Sequence, residues 1–172
     1  TATVTNEYQL LQTTQPVTGV NTTPAAGYML EKITVNDKEV IAVPANAADN
    51  TAIKVYFTKD ELIDPTVPEG SRPEGGDGIP DKYQGTVTLN VVGGTWDDSG
   101  KGNWSDGGNN TLTNVFTVWT QDPTTGEWEE KTVTVGNLPT GTAVPGFTGI
   151  GSWSDGLTED TAVTDGASYT LT

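Results

Sequence analysis

No helix or strand ladder can run unbroken through residues 60–84, DELIDPTVPEGSRPEGGDGIPDKYQ, and this stretch divides the chain into two unlike halves. Pro65, Pro68, Pro73 and Pro80, four of the ten prolines, are interleaved there with Gly70, Gly75, Gly76 and Gly78. Proline removes a backbone donor and glycine costs entropy to order, so the stretch reads as a connector. Its end is more than a tether. Asp77 and Asp81 flank a tight Gly78-Ile79-Pro80 turn, and Tyr83 then leads straight into a strand.

On both sides the pattern is that of strands. Residues 1–12 are expected to be extended, with Tyr8 and Leu10 on one face of a half-buried strand. Residues 30–35 and 38–43 flank Asn36-Asp37, two residues that tolerate positive φ, and form a predicted hairpin. Residues 53–58 alternate as the strand that closes the first half. The best helical window, 45–51, is short and weakened by Asn46, Asp49 and Asn50. In the second half, residues 86–92, 114–120, 127–135 and 167–172 read as strands. Residues 121–126, with proline early and glycine late, have the order of a longer hairpin loop. The identical quartets Trp104-Ser105-Asp106-Gly107 and Trp153-Ser154-Asp155-Gly156 predict a shared turn, with Trp on the sheet rim and Ser and Asp capping the backbone. Short strands, frequent turn signals and no helix of ordinary length predict an all-β chain of two small β-sheet modules, sandwich or open barrel.

DGIPDKYQ at residues 77–84 resembles the junction that recurs in long, repeat-built surface proteins of Gram-positive gut bacteria. There, mucin-binding-protein-like or internalin B-repeat-like β-grasp modules meet the β module that follows. That next module opens with a strand and a Gly-Thr-Trp turn, and residues 86–98, which include Gly94-Thr95-Trp96, are similar. Gly27-Tyr28 followed by strands at 29–35 and 53–60 is similar to half of such a β-grasp repeat. The resemblance implies a β-grasp-like module over residues 1–60, a structured linker over 61–84 and a β-sandwich-like module over 85–172, within a secreted, cell-wall-associated adhesin. The departure is the helix that crosses a β-grasp sheet, for which the sequence offers no convincing segment.

Charge and missing residue types exclude several functions. With 23 acidic against 8 basic residues and a net charge of −15, nucleic acid and anionic membranes are poor partners. Cysteine and histidine are both absent, which removes disulfides, thiolate and imidazole metal sites and the Ser-His and Cys-His nucleophile systems. Glu127, Glu129 and Glu130 cluster, but Glu127 and Glu129 alternate as a solvated strand face does, so no catalytic residue is assigned and no enzyme is expected. Leu138-Pro139-Thr140-Gly141 is one residue short of a cell-wall sorting signal. A self-formed Lys-Asn isopeptide bond is not expected, because the last strand has neither Asn nor Asp. The chain is expected to be an excised piece of a longer secreted protein, with no membrane insertion in this part.

Two candidate sites remain, each with a plain alternative. Asp77 and Asp81 are candidate ligands for calcium, since hard cations take carboxylate and turn-carbonyl oxygens; the alternative is a turn followed by a solvated charge. Trp119 and Trp128 face each other across the hairpin as a candidate sugar-stacking platform; the alternative is core or rim packing. No other cofactor is expected. The expected role is adhesion, or a stalk or spacer, with host glycan, mucin or matrix protein and neighbouring modules of the same chain as partners and a monomeric state. The alternative is a carbohydrate-binding module attached to a secreted glycoside hydrolase.

Overall fold

The computed structural model describes residues 13–149 and 151–172; the strand expected around Tyr8 and Leu10 lies outside the described residues. Among those residues the chain forms only short strands and single 3-10 turns, with no helix of seven or more residues, and no sheet closes into a barrel. The protein is all-β. It falls into two compact units. One holds Leu30–Thr58 with the described residues before Ala26; the other holds Ala26–Met29 with Lys59–Thr172. Residues 61–84, expected as a linker, therefore lie inside the second unit.

The first unit carries β1 (Thr14–Pro16), β3 (Lys38–Val40), β4 (Asn46–Ala48) and all but the ends of β2 (Tyr28–Val35) and β5 (Ile53–Lys59), whose Tyr28, Met29 and Lys59 fall in the second. β1 pairs antiparallel with β4, and β3, β2 and β5 form a three-stranded sheet in that order. The β2–β3 hairpin turns on Asn36 and Asp37, whose φ values of 48° and 63° are those of a type I′ turn, and pairs Val35 with Lys38. β3 stops at Val40, three residues before the predicted end, and Ile41 is fully exposed. Within the window 45–51, Asn46–Ala48 is a strand and Asp49-Asn50 a turn. Ala47 and Ala48 pair with Gln15 and Thr14, and the positive φ of Asn50 ends the run. Ile33 is the buried apolar side chain here, and the crossing helix of a β-grasp is not found among the described residues.

The second unit carries β6 (Gln84–Val91), β7 (Gly94–Trp96), β8 (Ser105–Gly108), β9 (Thr111–Thr117), β10 (Trp119–Gln121), β11 (Trp128–Glu130), β12 (Gly141–Ala143) and β13 (Ser168–Leu171). Its main sheet runs β13-β6-β9-β8, with β13 parallel to β6 and the other pairs antiparallel. β7 with β12 and β10 with β11 form two-stranded ribbons. β6 reads with a period of two: Val87, Leu89 and Val91 are buried, while Thr86, Thr88 and Asn90 face the other side half-buried. Val87 and Leu89 join Trp104, Leu112, Val135 and Leu157 in the core, bordered by Trp96, Phe116, Trp153 and Tyr169.

Two strand predictions were too long. Residues 114–120 break at Val118, whose N–H donates to the Tyr83 carbonyl while its own carbonyl accepts from Lys131. Of residues 127–135 only Trp128–Glu130 pair as a strand, apart from a single bridge between Thr134 and Ala162. The two Trp-Ser-Asp-Gly quartets do not share a turn. Trp104 is buried and Ser105–Gly108 runs as β8 beside β9, whereas Ser154–Gly156 is a 3-10 turn with Asp155 at a φ of 53°. Pairing with β9 decides the first and pairing of Trp153 with Leu171 the second, so tertiary context outweighs identical local sequence. The expected capping holds only at Asp106, which accepts from the Gly108 N–H; Ser154 Oγ instead accepts from the Thr170 N–H of β13, 16 residues on, and Trp104 lies in the core and not on the rim.

Leu89 is fully buried at the centre of β6, so Leu89→Ala leaves a cavity under the main sheet. The expected loss is about 2–5 kcal/mol, read as a fall in the urea midpoint with an unchanged m-value.

Candidate functional site

The feature that organises residues 60–84 is a set of four aspartates whose carboxylates take up backbone N–H groups. Proline-rich backbone cannot find ladder partners, yet its buried donors must still be satisfied. Asp60, just after β5, is 2% exposed; its Oδ1 accepts from the Asp77 N–H at 2.9 Å and its Oδ2 from the Gly78 N–H at 3.0 Å. Asp77 answers in the other direction: Oδ2 accepts from the Asp64 N–H and from Gln84 Nε2, both at 2.7 Å, and Oδ1 from the Ile79 N–H. Asp81 Oδ1 accepts from the N–H groups of Glu61 and Leu62, each at 2.9 Å. Asp64 takes the Thr66 N–H and hydroxyl on Oδ1, and the Thr117 N–H and hydroxyl, at the end of β9, on Oδ2. Residues 60–64 and 77–81 are thus laced reciprocally, and the lacing is fastened to the main sheet at Thr117.

The lacing dictates Gly76. A Cβ built there would lie 2.2 Å from Asp60 Cγ and 2.3 Å from the Asp60 carbonyl oxygen, far inside contact distance. Gly78 is required for another reason, a φ of 81° between the two aspartates.

Two of these carboxyls are perturbed in opposite directions. Burial pushes Asp60 above the ordinary carboxylate value; the Asp77 and Gly78 amides pull it back, and the nearby Asp77 and Asp81 charges push it up again. Burial also acts on Asp64, but the Thr66 and Thr117 hydrogen bonds together outweigh it and hold that carboxyl below its ordinary value. Asp64 therefore contributes stability that is complete above about pH 4 and is lost as the pH falls through its folded-state value. Asp60 works against folding as the pH rises from about 4 through its own raised value, because the charged form is then buried.

This geometry bears on the calcium candidates. Asp77 and Asp81 lie in the same laced segment, but Asp77 spends both oxygens, and Asp81 its Oδ1, on N–H donors. A cation there would share or displace those bonds. Among the described residues no group of three or more acidic side chains is arranged to hold a metal ion.

Trp119 and Trp128 are brought together. Trp119 stands opposite Glu130 and Trp128 opposite Gln121, which puts both indoles on one face of the β10–β11 ribbon. Both are half-buried, and the sequence reading missed the reason, Tyr83. Its ring stacks on Trp128 at 4.3 Å and 16°, and meets Trp119 at 5.2 Å and 46°. Lys82 Nζ lies 5.3 Å from the Tyr83 centroid. The arrangement is an aromatic cluster with a cation at its rim, in which Tyr83 occupies one face of Trp128.

Sequence reading also missed Asp60, Asp64, Gln84 and Gly76. The available signal was the repeat of one spacing, Asp60 to Asp64 and Asp77 to Asp81, on either side of a Pro/Gly stretch. Comparison with protein-family models, with curated proteins and with solved structures returned no match.

Two outcomes are expected. Gly76→Ala destabilises by about 3 kcal/mol or more, because backbone as well as side chain must move, whereas Gly70→Ala, with open space around its Cβ, changes the denaturant midpoint little. Asp64→Asn costs about 2 kcal/mol at neutral pH, and its difference from the parent shrinks below about pH 4, measured by urea denaturation across the acid range.

Proposed function

We propose that this chain is an extracellular segment of a bacterial cell-surface protein, serving adhesion as a stalk or spacer. The observation that carries the reading is the lacing of residues 60–81. The Pro- and Gly-rich segment is thereby hydrogen-bonded structure within the second unit and not a loose tether, which suits a stalk. An all-β build of short strands, with acidic surface and neither Cys nor His, is consistent with that role. The resemblance of DGIPDKYQ to junctions of repeat-built surface proteins supports the same location, and host glycan, mucin or matrix protein are the partners it implies. A second reading, a carbohydrate-binding module attached to a secreted glycoside hydrolase, is favoured by the Tyr83, Trp119 and Trp128 cluster.

An antibody against this chain is expected to label intact source cells; labelling only after permeabilisation would contradict a surface location. On a glycan array, the second reading expects a preferred sugar whose signal is lost in Trp128→Ala. A flat array with intact-cell labelling leaves the stalk alone.

A further inference from the structure

A cleft of about 310 Å³ opens in the second unit along β9, and Tyr83, Trp119 and Trp128 are not among its lining residues. It exists because β8 is shorter than β9: pairing ends where Ser105 meets Thr113, and the next protein partner on that edge is Asp64, at Thr117. Trp104 and Phe116, edge to face at 6.0 Å, line it with apolar surface, while Asn103, Asn114, Asn137 and Lys131 supply polar groups. The Asp64 carboxylate at its side is already spent on Thr66 and Thr117.

The unusual member is Asn114. It is 8% exposed and points to the core side of β9, opposite Val87, yet its amide oxygen is buried without a hydrogen-bond partner among the described residues. Its neighbours on that face, Leu112 and Phe116, are the apolar residues a core position calls for. Native proteins seldom leave a buried polar atom unmatched, and an Asn in place of an apolar residue points to a polar visitor.

We propose that this cleft binds a single neutral pyranose ring of a glycan. The reasoning runs from size and chemistry. The volume is at the lower end of the range for small-molecule sites, about 300–1,000 Å³, so it takes one ring and not an extended chain. Asparagine amides donate and accept, as ring hydroxyls require, and the half-buried Phe116 beside the buried Trp104 gives the apolar C–H groups of a sugar a surface to pack on. A net charge of −15 disfavours an anionic ligand, and Lys131 then serves as a hydroxyl donor at the mouth. The site is independent of the cellular location of the chain and separate from the Trp119 and Trp128 pair.

The test is titration of the full chain with the methyl glycosides of glucose, galactose, mannose, N-acetylglucosamine and N-acetylgalactosamine, at millimolar concentrations. ¹H–¹⁵N spectra read the side-chain amides of Asn103, Asn114 and Asn137 and the five indoles. The expected result is a saturable shift of the Asn114 amide and the Trp104 indole with at least one sugar, weakened about tenfold or more in Asn114→Leu, which keeps the shape and removes the amide. Should that variant fail to fold, the exposed Asn137→Ala and Lys131→Met variants decide, with the same weakening expected. No saturable shift with any of the five sugars would leave a cleft filled by ordered water only and overturn the proposal. Shifts confined to the Trp119 and Trp128 indoles, or unchanged affinity in the variants, would overturn it as well.

Discussion

The second unit depends on carboxylates that accept backbone N–H groups. A chain with 23 acidic and 8 basic residues cannot neutralise its aspartates by ion pairing, and without cysteine it cannot staple a loop covalently. Asp60, Asp64, Asp77 and Asp81 instead bind the donors that a Pro- and Gly-rich segment leaves over. Each such bond is charge-assisted, and each carboxylate receives two or more donors, which keeps buried charge tolerable. The arrangement is not free of cost. Burial, with two other carboxylates nearby, pushes Asp60 toward protonation, while Asp64, also buried but well supplied by two threonines, is held in its charged form.

From this follow the other peculiarities of the segment. Gly76 is glycine because Asp60 fills the space of its Cβ, not because its backbone needs a positive φ. Gln84, the first residue of β6, reaches back to Asp77, so the sheet and the lacing begin together. Thr117 ends β9 on Asp64 and leaves the edge between Thr113 and Thr117 without a strand beside it. The cleft with the unpartnered Asn114 amide lies along that edge.

Much of the fold was legible locally. Asn36-Asp37 announced its hairpin through residues that accept positive φ, and the alternation of Val87, Leu89 and Val91 announced the central strand. What could not be read depends on distant partners. The quartet at Trp104 is a strand because β9 lies beside it, and the same letters at Trp153 are a turn because Leu171 pairs there. Residues 45–51 looked weakly helical, and Asn46–Ala48 became a strand through Gln15. At the sites, Asp77 and Asp81 were noticed as carboxylates for a cation, while Asp60 and Asp64 passed as ordinary acidic residues. Asp60 takes backbone donors 17 and 18 residues away and Asp64 one 53 residues away, which no local motif encodes. Tyr83 was seen as a strand opener, and only the ring geometry places it on Trp119 and Trp128.

The most direct measurement of the central claim is native-state hydrogen exchange, residue by residue. If aspartate lacing makes residues 60–81 part of the second unit, the amides of Asp64, Asp77, Gly78 and Thr117 exchange as slowly as those of Val87 and Leu89 in β6, through the same cooperative opening. Amides of residues 60–81 exchanging orders of magnitude faster than β6 would show a loose tether and contradict the account.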